Sequence, residues 1–176
     1  MPVPTVFFMK QTRVLHIVRH AKSAWDYSDV ADIDRSLKPR GIRNAYELSR
    51  KLKLNNLIPQ KIISSPADRA LHTAVIFAGV FGYPLGDLEI SSILYESSLE
   101  KIIDLIRNTD DGYKSLMVFG HNPDITDLVN HYIISSVDNV PTCGVVTLKF
   151  STASWKTIGR KNFETHIINF PNKNKT

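Results

Sequence analysis

The chain has 176 residues, of which 43% are hydrophobic and 22% charged, and it carries a net charge of +5. That balance excludes a disordered or fibrous chain, and the length suits one domain with a substantial core. The longest early apolar run, Val3 to Met9, is broken by Pro4 and Thr5 and falls far short of the roughly 20 residues that span a bilayer.

Residues 1–12 read as an N-terminal extension without the basic start and small-residue cleavage site of a signal peptide. A single domain is expected over 13–170, followed by a tail over 171–176. Arg13 to Val18 reads as a strand, and a loop with Trp25 and Asp26 follows it. Lys38 to Leu54 has helical spacing, with Ile42, Ala45, Leu48 and Leu52 on one stripe and Pro39 in the first turn. Lys61 to Ile63 is a short strand. Ser65-Pro66-Ala67-Asp68 then looks like a helix start, with Ser65 as cap, Pro66 at the first helical position and Asp68 completing an acidic capping box. That helix is expected to run to Phe81 and stop at Gly82. Leu88 to Ile90 is a third strand, and Ser97-Ser98-Leu99-Glu100 opens a helix to Arg107. Ser115 to Phe119 is a fourth strand, with a helix from Asp124 to Ile134 behind Pro123. Val145 to Phe150 and Trp155 to Ile158 read as final, antiparallel strands. Thr165 to Phe170 is a strand or a docked tail.

Alternating strands and helices predict an α/β fold: a three-layer α/β/α sandwich whose mainly parallel sheet has an antiparallel edge. Ligands of such sheets bind beyond the carboxyl ends of the strands. Arg19-His20, Arg69 and His121 all fall at or just past strand ends, so one pocket can collect them. Two guanidinium groups and two imidazoles in one pocket point to a phosphate site with a built-in nucleophile.

Within that site each residue type has a task. The imidazole of His20 is mostly neutral at pH 7, so it can attack phosphorus and carry the phosphoryl group briefly. Arg19 and Arg69 clamp the phosphoryl oxygens, which planar guanidiniums suit. Arg69 in a helix's first turn opposes the helix dipole, a conflict that an anion between them would resolve. His121 donates a hydrogen bond to the transferring group or carries positive charge beside it. Glu96 follows the third strand and is the candidate proton donor to a leaving group, or else a solvated loop carboxylate. Ser23 and Asn122 are candidate substrate-binding residues, whereas Asp26 would repel phosphate. His16 lies about 13 Å along the strand from His20 at ~3.3 Å per residue, too far to share a metal. His131 and His166 have no catalytic context. No metal or other cofactor is expected.

Cys143 is the only cysteine, which rules out an internal disulfide and fits a cytoplasmic location. The tail Asn172-Lys173-Asn174-Lys175 reads as a solvated terminus rather than a nucleic-acid arm. The expected partner is a phosphorylated protein or a small phosphorylated substrate, bound by a monomer, with no nucleic acid and no membrane involved.

At these residues the chain resembles the histidine phosphatase superfamily, also called phosphoglycerate mutase-like. The family's Arg-His-Gly signature appears as Arg19-His20-Ala21, its second arginine as Ser65-Pro66-Ala67-Asp68-Arg69-Ala70-Leu71-His72-Thr73-Ala74, and its later motif as Gly120-His121-Asn122-Pro123. Leu37, Gly41 and Ala45 match the first helix. The resemblance is strongest to small SixA-like phosphohistidine phosphatases, whose signature often reads Arg-His-Ala. It implies a phosphohistidine intermediate on His20, an oxyanion pocket from Arg19, Arg69 and His121, and no metal. The chain departs from the larger mutases at Ala21, Asp26 and His72, and its short spacer between Glu96 and His121 leaves little room for their capping insert. A phosphatase of phosphohistidine or a related phosphomonoester is therefore expected. The alternatives are a mutase, a phosphatase of sugar or nucleotide phosphates, and a catalytically silent module that binds phosphorylated partners.

Overall fold

The computed structural model describes residues 11–24 and 29–172. Most of the expected extension, Trp25 and Asp26 of the loop, and the tail lysines Lys173 and Lys175 lie outside the described residues. Arg13–Arg19 (β1), Lys61–Ser64 (β2), Glu89–Ile90 (β3), Ser115–Gly120 (β4), Val145–Phe150 (β5) and Phe163–Asn169 (β6) form one sheet in the order β3-β2-β4-β1-β5-β6. The pairings among β1 to β4 are parallel, and β5 and β6 add an antiparallel edge beside β1.

Among the described residues, four α-helices cover the sheet: Pro39–Leu54 (α1), Asp68–Phe81 (α2), Leu99–Arg107 (α3) and Asp124–Tyr132 (α4). Side chains alternate along each strand, so successive residues feed opposite cores. Val18, Ile62, Met117 and Phe119 pack with Leu48 and Leu52 of α1 and with Ala74, Phe77 and Phe81 of α2. Leu15, Ile17, Leu116 and Val118 pack on the other face with Ile102 and Ile106 of α3 and Leu128 and Val129 of α4. Burial on both faces is why β1 and β4 read as continuous apolar runs. Phe77 meets Phe119 edge-on at 5.3 Å. Such a pair contributes about 1 kcal/mol beyond its buried area and fixes α2 against β4.

Several local expectations need correction. Trp155 to Ile158 is not a strand, since Trp155–Thr157 forms a 3-10 turn. Trp155 and Ile158 are both buried, three residues apart, which is turn spacing rather than strand alternation. The indole Nε1 donates to Tyr113 O at 2.7 Å and anchors the turn. The last segment is a full strand that begins two residues earlier than expected, at Phe163. Helix α2 starts at Asp68 behind Ala67, with no side-chain cap, so Ser65 does not cap it in the expected register. Ile42 is exposed, and Gly41 turns inward instead. A Cβ at Gly41 would stand 2.2 Å from the carbonyl oxygen of Lys22, so the closest approach of α1 to the β1 exit loop requires glycine.

Candidate active site

The parallel pairing of β1 with β4 sets Arg19 opposite Gly120, so the next residues, His20 and His121, leave adjacent strands side by side. The backbone N–H of His20 donates to Gly120 O at 3.0 Å and closes the last rung. The two imidazole centroids are 5.0 Å apart with planes inclined at 47°. Both rings are largely buried, at 9% and 8% exposure. Beside them lies a cavity of about 310 Å³, lined by Arg19, Ser23, Asp32, Arg35, Arg69 and Asn122 together with the two histidines, Lys22 and Thr142.

His20 Nδ1 lies 2.8 Å from Ala21 O. A carbonyl only accepts, so Nδ1 carries the proton and the lone pair resides on Nε2. Ala21 is itself held, its N–H donating to Thr73 Oγ1 of α2 at 3.0 Å. Burial lowers the His20 pKa to about 4. The hydrogen bond to Ala21 opposes that shift, and Arg69, Arg19 and Arg35 add to it. The pKa of His121 is lowered to about 3, first by burial and then by His20 and Arg69. Both rings are therefore neutral near pH 7.

Ser65 acts here rather than as a helix cap. Its Oγ is 2.8 Å from His121 Nε2 and accepts from Ala67 N at 3.2 Å. Tyr95 meets the His121 ring edge-on at 5.5 Å.

Three guanidinium groups face the cavity. Arg19 donates to Val140 O at 2.8 Å and to Asn139 Oδ1 at 3.2 Å. Asn122 donates to the same Asn139 oxygen at 2.7 Å, so its amide braces the loop that holds Arg19. Arg69 is buried at the start of α2, with Nη2 2.8 Å from Asp32 Oδ2. The counter-charge that its place in the helix's first turn demands thus comes from Asp32. The third, Arg35, was not anticipated. It donates to Asp32 Oδ1 at 2.7 Å, Ala24 O at 2.8 Å and Ser23 Oγ at 2.9 Å. Partial burial raises the Asp32 pKa, but hydrogen bonds from Arg35 and Arg69 outweigh it and hold the carboxyl at about 2. The spacing Asp32-x-x-Arg35 was the available signal for this pair, since residues three apart in a helical turn face each other.

Glu96 is exposed and does not line the cavity, whereas its neighbour Tyr95 donates to Asp32 Oδ2 at 3.1 Å. His16 is buried on the sheet, with Nδ1 2.9 Å from Thr147 Oγ1. His131 is half-buried and His166 is exposed on β6. Among the described residues, no group of three or more His, Cys, Asp or Glu side chains is arranged to hold a metal ion. No helix among them is long and apolar enough to cross a membrane.

The arrangement is that of an α/β protein with paired imidazoles and clustered guanidiniums at a strand-end cleft. The sequence model of the Histidine phosphatase superfamily (branch 1) matches residues 15–105, and the chain belongs to that family. The matched span holds Arg19, His20 and Arg69, and β4 brings His121 to them from beyond it. A solved structure from Agrobacterium tumefaciens, named for the phosphohistidine phosphatase SixA, is 25% identical with a TM-score of 0.72, covering 77% of this chain and 90% of its own. The protein histidine phosphatase SixA complexed with tungstate is 19% identical with a TM-score of 0.72, over 88% of this chain and 96% of its own. Phosphoglycerate mutase from Bacillus anthracis is 18% identical with a TM-score of 0.60, over 83% of this chain and 95% of its own. The fold is thus phosphoglycerate mutase-like, and family membership supports phosphatase activity.

Proposed function

We propose that the protein hydrolyses phosphohistidine on a protein substrate, using His20 as nucleophile and no metal. The observation that carries this reading is the pinned tautomer of His20, whose Nδ1 is 2.8 Å from Ala21 O. A neutral imidazole with its Nε2 lone pair beside clustered guanidiniums is equipped to accept a phosphoryl group. In the first step a bond forms from Nε2 to phosphorus and the bond from phosphorus to the substrate imidazole breaks. That imidazole leaves with a proton from solvent. In the second step water attacks phosphorus, gives up a proton, and releases inorganic phosphate and neutral His20. Arg19 and Arg69 neutralise charge on the phosphoryl oxygens in both steps, and His121 donates a hydrogen bond. Ser23 and Asn122 shape the binding cavity.

The exposure of Glu96 supports the choice of substrate. An alkoxide leaving group needs a well-placed acid, while an imidazole departs more readily. Quenching the protein during turnover and isolating an acid-labile phosphoryl adduct tests the mechanism. His20→Ala should abolish the adduct, and an adduct that persists in that variant rejects His20 as nucleophile. A substrate panel tests the specificity. Efficient release from a phosphorylated histidine domain, with little from sugar or nucleotide phosphates, is the expected result. The reverse ranking would assign the protein to small phosphate esters.

A further inference from the structure

A cavity of about 690 Å³ is lined by Arg107, His131, Lys156, Arg160 and Lys161, and no carboxylate is among the described residues that line it. It lies at the edge of the sheet opposite His20, as the path of the chain requires. Strand β4 delivers His121 at its exit, whereas Arg107 ends α3 ahead of that strand and His131 lies in the last turn of α4, which returns behind it. Trp155 N donates to Asp111 Oδ1 at 2.7 Å, which ties the turn carrying Lys156 to the same edge. The six residues of β4 set this cavity about 20 Å from the active site at ~3.3 Å per residue.

The helix dipole accounts for Arg107 and His131, each in the last turn of its helix. Arg160 donates to the carbonyl oxygens of His131 and Asn130 at 2.9 Å, contacts that place it at the end of α4 without neutralising its charge. Lys156 and Lys161 are exposed on three-residue 3-10 turns, Trp155–Thr157 and Arg160–Asn162, and no long helix explains them. None of these lysines and arginines is in an ion pair with a described carboxylate. Asp111 senses the charge of Lys156, but its oxygens are engaged first by Trp155 N and Ser154, and it stands outside the lining. The Nε of Arg107 is buried with no hydrogen-bond partner among the described residues. Burial first, then the charges of Arg107 and Arg160, lowers the His131 pKa. Positive groups thus crowd one another around an open space, a repulsion that a bound polyanion would relieve.

We infer that this cavity binds an oligophosphate chain, either free or as the tail of a nucleoside triphosphate. Guanidinium groups fork onto phosphate oxygens, and lysines add compact charge along the chain. A single phosphate carries too little charge to engage cations spread around a cavity of this size, which falls within the roughly 300–1,000 Å³ of small-molecule sites. The inference is independent of the substrate that His20 attacks.

The test is an NMR titration of the full-length protein with inorganic tripolyphosphate, with the backbone amides of Thr157 and Gly159 as reporters. Both should shift saturably, whether or not amides around His20 also respond. At low salt Lys156→Glu/Lys161→Glu should weaken this binding by about tenfold or more, while turnover of a generic aryl phosphate stays unchanged. Lys156→Gln/Lys161→Gln provides a milder second variant should the first fold poorly. A parallel titration with adenosine triphosphate separates the two sources. Equal or weaker binding of the nucleotide assigns the free chain, tighter binding assigns a nucleoside triphosphate, and either supports the site. The inference is overturned if the reporters stay still, if neither double variant weakens binding, or if a polyglutamate peptide binds there more tightly than tripolyphosphate, which would assign the cavity to an acidic protein segment.

Discussion

Arg69 grips Asp32 at two points, its Nη2 on the carboxylate at 2.8 Å and its Nη1 on the main-chain carbonyl of the same residue. The carboxylate therefore occupies donors that an incoming phosphoryl group would use. With its pKa held at about 2, Asp32 is ionised across the neutral range. Asp32→Asn removes a negative charge from the cavity wall and leaves one acceptor oxygen where Arg35 and Arg69 now hold one each. Inorganic phosphate should then inhibit several-fold more strongly, equivalent to roughly 1 kcal/mol at an effective dielectric between protein and water. Inhibition constants for the two proteins decide the matter, and weaker inhibition of Asp32→Asn would show that orienting the guanidiniums outweighs repulsion.

The imidazoles of His20 and His121 should not titrate across the neutral range. Burial is the leading cause of depression in both, to about 4 and about 3. Their ring resonances in an NMR titration should stay flat from about pH 8 to about pH 5, straight through the ordinary value of ~6.5.

His16 makes stability depend on pH. It is 1% exposed, and burial lowers its pKa from 6.5 to about 4. The unfolded chain therefore takes up the proton first as pH falls. The contribution is fully present above about 6.5 and is lost progressively between 6.5 and 4, amounting to about 3 kcal/mol in all. Urea midpoints should fall across this window. Replacing the ring by His16→Gln should flatten part of the slope, with His20 and His121 supplying the remainder in the same direction. Identical slopes in both proteins would contradict this role for His16.

Gly41→Ala should damage both fold and activity. The added methyl would meet the Lys22 carbonyl at 2.2 Å, a backbone atom that cannot swing aside. Overpacking of this kind costs about 1–3 kcal/mol. The strain falls on the segment that follows His20, so kcat should drop along with the denaturation midpoint. A variant with normal activity and normal stability would mean that α1 shifts freely on the sheet.

The parts of the site that were legible in the sequence are those that local pattern fixes. Apolar runs ending at Arg19, Ser64 and Gly120 mark strand exits, and parallel pairing then brings their following residues together. What was not legible depends on contacts between distant segments. Ser65 reads as a helix cap, but its hydroxyl is held by His121, 56 residues away. Asp32 and Tyr95 meet across 63 residues, and no local spacing announces that. The choice between Tyr95 and Glu96 is a matter of one residue's rotation after the turn Ser92–Leu94. The backbone there sends the ring toward His121 and leaves the carboxylate in solvent.

The interval between the two imidazoles is inherited from the rung spacing of the sheet. Neighbouring strands lie about 4.8 Å apart, and the ring centroids are 5.0 Å apart. The separation of the two rings thus follows the backbone lattice. Substitutions in the segments after each strand can therefore reshape the cavity while the gap between the rings stays as the sheet made it.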